Sequence, residues 1–239
     1  MNALQGLQQR LDLSHHYTST DDREKNINQT KGLMQNYFAK KEPPVLGHGV
    51  ELVLNLENSL RRSRIETTRY ECKQGLLDLS PNRRQNNDLI AKIIEIICGM
   101  ANLGPDADGY IFIGVADSKS DAEKIQDLDE INPIEINGRY IVGIDREVKL
   151  HNKNTEDYVK VLTNAILRSE LTEPLKTQVL TKFDTISYKG HSVIRITIPA
   201  QSEMSFVGDK AFTRKDSSTV EVKGQELLAV SKLFQKRAV

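Results

Sequence analysis

Four side chains of this sequence have the types and spacing for phosphodiester chemistry. Glu66, Glu71 and Lys73 stand together in E-T-T-R-Y-E-C-K, and Asp117 closes the apolar run GYIFIGVAD. Side chains alternate along a strand, so Glu71 and Lys73 share one face of it and Cys72 takes the other. A carboxylate and an ammonium then lie side by side, with Glu66 just ahead of them and Asp117 at the end of a neighbouring central strand. Three converging carboxylates repel one another unless a hard cation such as Mg²⁺ or Mn²⁺ joins them through oxygen. Such an ion activates water and stabilises the leaving oxygen of a phosphodiester, and Lys73 is placed to orient the water or offset transition-state charge. The rival reading of Glu71 and Lys73 is a surface ion pair on an edge strand.

Positive and hydroxyl groups for phosphate contact are Arg64, Arg69, Arg83, Arg84, Arg214, Lys215, Ser217, Ser218 and Thr219. Arg83 and Arg84, in a turn before a helix, are the favoured anchor. His15, His16, His48, His151 and His191 have no second ligand at metal spacing, and Cys72 and Cys98 cannot build a disulfide framework or a four-ligand zinc site. The loop GPDADG lacks the G-K-[ST] ending of a nucleotide-binding loop and reads as a solvated turn.

The elements that must position these groups follow from periodicity. Residues 1–64 predict a polar helical arm, with Leu4, Leu7 and Leu11, then Leu33, Met34, Tyr37 and Phe38, then Val53, Leu56 and Leu60 at helical spacing. The arm either packs on the main core or binds a partner chain. DLIAKIIEIICGMANLG predicts a buried helix stopped by Gly104 and Pro105, and GYIFIGVAD a central strand buried on both faces. YIVGI reads as a strand and TEDYVKVLTNAILR as an amphipathic helix. SVIRITIP predicts a strand with one face in solvent, in a hairpin with TQVLTKFDTISY; AFTR predicts a strand and 225–236 a closing helix. Lys plus Arg and Asp plus Glu each number 33 in 239 residues, so the zero net charge demands that any basic surface be local. No apolar run suits a membrane span and no leader pattern opens the chain, so a reducing cytoplasmic setting is expected.

RYECKQGLLDL, followed by the apolar helix and GMANLGPDADGYIFIGVADS, resembles the Schlafen/AlbA-like domain, with its E-x-K strand, a helix ending in A-N and a strand ending in G-V-x-D. The likeness continues through YIVGID, SVIRITIP and AFTRKDSSTVEV, over about residues 65 to 235. One departure is Asp216, where the family's R-x-G-S-S-T has glycine; a positive φ suits Asp less well. The zinc site of eukaryotic members has no support in two cysteines.

The resemblance implies an α+β fold, a Schlafen/AlbA-like mixed sheet with packed helices, divided as an arm over 1–64 and a nuclease domain over 65–239. It implies catalytic roles for Glu66, Glu71 and Asp117 with Mg²⁺ or Mn²⁺, and a metal-dependent endoribonuclease acting on structured RNA, tRNA above all, as a bacterial toxin or phage-defence effector. The alternative is a non-catalytic nucleic-acid-binding or regulatory module. Pairing through the N-terminal helices, as a homodimer or with a partner subunit, is a third expectation.

Overall fold

The computed structural model describes Thr20, Asp21, Glu24, Ile27, Asn28 and residues 48–64, 67–151 and 154–235. The chain divides into two compact units, Met1–Glu51 and Leu52–Val239. The expected arm helices around Leu4 to Leu11 and Leu33 to Phe38 lie outside the described residues, as does Glu66. No described helix is long and apolar enough to cross a membrane.

The chain order is α1 (His48–Arg62), a 3₁₀ turn (Thr67–Arg69), β1 (Tyr70–Lys73), α2 (Asn87–Ala101), β2 (Gly109–Ile113), β3 (Val115–Ala116), α3 (Lys119–Asp129), β4 (Ile134–Ile136), β5 (Arg139–Ile141), α4 (Asp145–Leu150), α5 (Thr155–Arg168), α6 (Leu175–Leu180), β6 (Phe183–Tyr188), β7 (His191–Ile198), β8 (Ala211–Lys215), β9 (Ser218–Val222) and α7 (Gln225–Lys232). The fold is α+β. Its main sheet runs β1-β2-β7-β6, with β1 parallel to β2 and the other pairs antiparallel. A smaller sheet runs β3-β5-β4, and β8 and β9 form a separate ribbon.

Both faces of the main sheet are covered. Ile111, Ile113, Ile194, Ile196 and Ile198 pack with Ile90, Ile93, Ile96 and Ile97 of α2, Leu162 and Ile166 of α5, and Leu175 and Val179 of α6. On the opposite face Tyr70, Cys72, Phe112 and Val193 meet Leu52, Leu56 and Leu60 of α1 and Ile136 and Ile141 of the small sheet. Each fully buried chain of this size contributes about 1.5–3 kcal/mol, so the two layers stabilise the sheet from both sides. Asn102, at the end of α2, is buried and bonds Ser205 and Phe212: its amide nitrogen donates to both carbonyls at 2.8 Å, and its oxygen accepts from the Ser205 amide at 2.8 Å.

Five sequence expectations change. The solvent face foreseen for SVIRITIP is largely closed: Val193 is buried with Leu52, Leu56 and Leu60 of α1, and Arg195 pairs with Asp184 on the adjoining strand at 2.7 Å. The stretch TQVLT is mostly the end of α6 rather than hairpin, since Leu175 and Val179 enter the core at helical spacing. Within YIVGI the strand stops at Ile141, and α7 ends at Lys232. GYIFIGVAD is also not one strand. Gly114, with φ +100°, donates its amide to the Lys73 carbonyl at 2.8 Å while its own carbonyl accepts from Val142 and Gly143, so β3 passes into the small sheet. A side chain there would need the left-handed region and would meet the Ser192 carbonyl at 3.1 Å.

Candidate functional site

β1 turns Tyr70 and Cys72 inward, where the Tyr70 ring stacks on Tyr110 at 5.6 Å, and sends Glu71 and Lys73 to the α2 side of the sheet. Glu71 is gripped there. Its Oε1 meets the Lys73 ammonium at 2.5 Å, and its Oε2 accepts from Nη2 of Arg214 at 2.7 Å. Arg214 comes from β8, which lies so close to α2 that a Cβ on Gly99 would stand 3.4 Å from the Thr213 backbone. The Arg214 side chain is 1% exposed. It also donates to Thr219 Oγ1 at 2.9 Å and to the Thr67 carbonyl at 3.4 Å, while its Nε has no partner. Two cations against one carboxylate leave the cluster at +1, which favours a further anion.

Asp216 occupies the first position of the two-residue β8–β9 turn at φ +54°, the left-handed conformation that the glycine of R-x-G-S-S-T would supply. Aspartate tolerates it and adds a carboxylate that accepts from the Thr67 hydroxyl, tying the ribbon to the turn ahead of β1. Asp117, the first residue past β3, is exposed, and its carbonyl accepts from Arg139 Nη1 at 3.4 Å. Arg139 Nε and Nη2 donate to the hydroxyl and carbonyl of Ser63 at 3.1 and 3.3 Å. Nothing in the sequence singled out Arg139 except its place after the Asn137–Gly138 turn, where both residues have positive φ.

The Cys72 thiol lies amid these charges. Burial pushes its pKa up to about 12; Arg139 and Lys73 oppose the rise, and Glu71 and Asp117 add to it. Cys98 is likewise raised to about 12, first by burial. Both folded values stand above the ordinary 9.0. The sign is therefore that deprotonation favours the unfolded chain, and this contribution to stability is lost as pH rises from about 9 towards about 12. At pH 8 a disulfide thiol reagent is expected to label neither cysteine of the folded protein over minutes and both after urea unfolding. Fast labelling of the native protein would contradict the burial.

The remaining expected residues fall in different places. Arg64 is exposed, its guanidinium lying over Gly138. Arg69 donates to the Ala107 carbonyl and so pins the GPDADG loop, which Asp108 also anchors by accepting from the Ala200 amide. Arg83, half of the favoured phosphate anchor, is 9% exposed and its Nη2 pairs with Asp129, which also takes Arg146 at 2.8 Å. Reaching phosphate would break this buried pair, so Arg84, which is exposed, is the accessible member of the two. Lys215 pairs with Glu226 at the surface, Ser217 and Ser218 are exposed, and Thr219 is held by Arg214. The structure thus brings Glu71, Lys73, Arg214 and Thr219 together, while Asp117 stands just past β3 of the small sheet.

Among the described residues no group of three His, Cys, Asp or Glu could hold a metal ion. Carboxylate oxygens are nevertheless the donor type that a hard cation takes, although Lys73 and Arg214 already hold both oxygens of Glu71. An ionised carboxylate offers about four lone-pair positions, so each Glu71 oxygen can take a partner besides its present one. Asp117 accepts no hydrogen bond or ion pair at its carboxylate among the described residues.

No curated protein matches the chain. Among solved structures, the DIP2311 protein from Corynebacterium diphtheriae aligns with 18% identity and a TM-score of 0.42, over 72% of this chain and 26% of that one. This chain therefore spans about a quarter of that protein's length. The family model described as Schlafen, AlbA_2 matches residues 66–223, which include β1 with Glu71 and Lys73, the Asp117 turn and the β8–β9 ribbon. The chain belongs to the Schlafen AlbA_2 family.

Proposed function

We propose that this protein is a metal-dependent endoribonuclease acting on structured RNA, with tRNA the favoured substrate. The observation that carries the reading is the Glu71 carboxylate clamped between Lys73 and the buried Arg214, with the exposed Asp117 just past β3. Glu71, Asp117 and Glu66 would hold a Mg²⁺ or Mn²⁺ ion, which when bound supplies a nucleophilic water and charge neutralisation. The protein's own groups do the positioning. Arg214 fixes Glu71 on the sheet, and Lys73, with a side chain 26% exposed, presents an ammonium to a phosphate oxygen. Exposed Arg64 and Arg84 add backbone contacts, which suffice where RNA is recognised by shape.

The second reading, a nucleic-acid-binding module without catalysis, is favoured by one observation: both Glu71 oxygens already have cationic partners, so the site needs no metal to balance its charge. Incubating total tRNA with the purified protein in Mg²⁺ or Mn²⁺, beside EDTA and a Glu71→Gln variant, separates the two. Cleavage that requires both the ion and Glu71 supports the nuclease. RNA retention without cleavage, unchanged by EDTA and by Glu71→Gln, supports the binding module.

A further inference from the structure

We propose that Arg139 is a positioning residue of the candidate site, holding the end of α1 and the Asp117 turn at one spacing; the inference rests on the ribonuclease reading above. The guanidinium spends three donors on two segments far apart in sequence. Nε and Nη2 take the hydroxyl and carbonyl of Ser63, and Nη1 takes the carbonyl of Asp117. Ser63 is a firm anchor. It is fully buried, its amide donates to the Ser59 carbonyl at 2.8 Å and its hydroxyl to the Leu60 carbonyl at 2.8 Å. Three residues further along the sequence comes Glu66.

The strand that carries Arg139 is itself fixed from both sides. β5 pairs with β3, placing Ala116 opposite Tyr140, and with β4 through the Asn137–Gly138 turn. Asn137 donates from its side-chain Nδ2 to the Arg61 carbonyl at 3.2 Å, a second tie between this hairpin and the end of α1. Among the described residues Arg139 has no carboxylate partner within ion-pair distance, so its three contacts are all to neutral oxygens. A planar fork is suited to bridging two segments, because its donors diverge at fixed angles, whereas a lysine offers one mobile point charge.

The test uses the full chain, wild type beside Arg139→Gln and Arg139→Lys. Amide exchange by mass spectrometry is read for peptides covering 60–64 and 115–119, and single-turnover and steady-state cleavage of tRNA are read alongside. Arg139→Gln is expected to exchange at least about tenfold faster in both peptides, with α2 unchanged. Its kcat is expected to fall about 10- to 100-fold with KM within about threefold, as expected for misplaced groups. Arg139→Lys, which keeps charge and stem and guards against misfolding of the glutamine variant, is expected to recover less than half of the lost kcat. Unchanged exchange in both peptides overturns the inference while leaving the ribonuclease reading intact. A raised KM with unchanged kcat also overturns it, because Arg139 would then be contacting RNA. If the wild type cuts no RNA, the ribonuclease reading fails, and the exchange data alone decide whether Arg139 makes the tie.

Discussion

Glu71→Gln is expected to reduce tRNA cleavage about 10²- to 10³-fold in kcat/KM, equivalent to about 3–4 kcal/mol of transition-state stabilisation. Glutamine keeps an oxygen for Arg214 but loses the charge that draws a cation, while Lys73 and Arg214 are left facing a neutral amide. Because Arg214 is almost wholly buried, the substitution also costs stability, about 1–3 kcal/mol by urea unfolding. Glu71→Ala is the poorer control. It strands the Arg214 guanidinium with no acceptor at this position, a change that costs about 3–5 kcal/mol where a buried pair is broken from one side. Cleavage by folded Glu71→Gln at the wild-type rate would remove Glu71 from catalysis and place the chemistry on other residues.

Gly75→Ala is expected to have the largest effect on stability of any single methyl addition near the site. An ideal Cβ at Gly75 would stand 1.9 Å from Oε1 and 2.4 Å from the carboxyl carbon of Glu147. That carboxylate cannot step aside. It is fully buried and accepts from the amides of Leu76 at 2.8 Å and Leu77 at 3.3 Å, the Tyr158 hydroxyl at 2.6 Å and Arg146 Nη2 at 3.0 Å. Displacing it leaves several buried donors without a partner, each worth about 1–3 kcal/mol. A loss of about 4 kcal/mol or more follows, which at this chain length lowers the thermal midpoint by roughly 8 °C or more. A midpoint within about 2 °C of wild type would show that Glu147 has room to move. The same hub explains why β1 ends where it does. Gly75 lies two residues beyond Lys73, and its lack of a side chain lets Glu147 bond the chain as it leaves the sheet.

Some of the site was legible in the sequence because short-range geometry dictates it. Strand alternation alone puts Glu71 and Lys73 on one face and Cys72 on the other, and their 2.5 Å pairing follows from that. The apolar texture of DLIAKIIEIICGMANLG determines a buried helix, and Lys189–Gly190 marks the turn of the β6–β7 hairpin, where both residues have positive φ.

Pairings across long separations were decided only by the tertiary structure. Arg83 and Arg84 look alike in LSPNRRQNN, yet Arg83 alone meets Asp129, 46 residues away, and leaves the surface. Arg214 reads as one more phosphate contact, but β8 packs on α2 and delivers it to Glu71 across 143 residues. Arg139 had no motif at all; its role arises from the folding of β5 between the end of α1 and the Asp117 turn. The physical reason is the same in each case. Periodicity and turn chemistry are set by neighbours along the chain, whereas a buried charge takes whichever acceptor the packing of distant elements brings within about 3 Å.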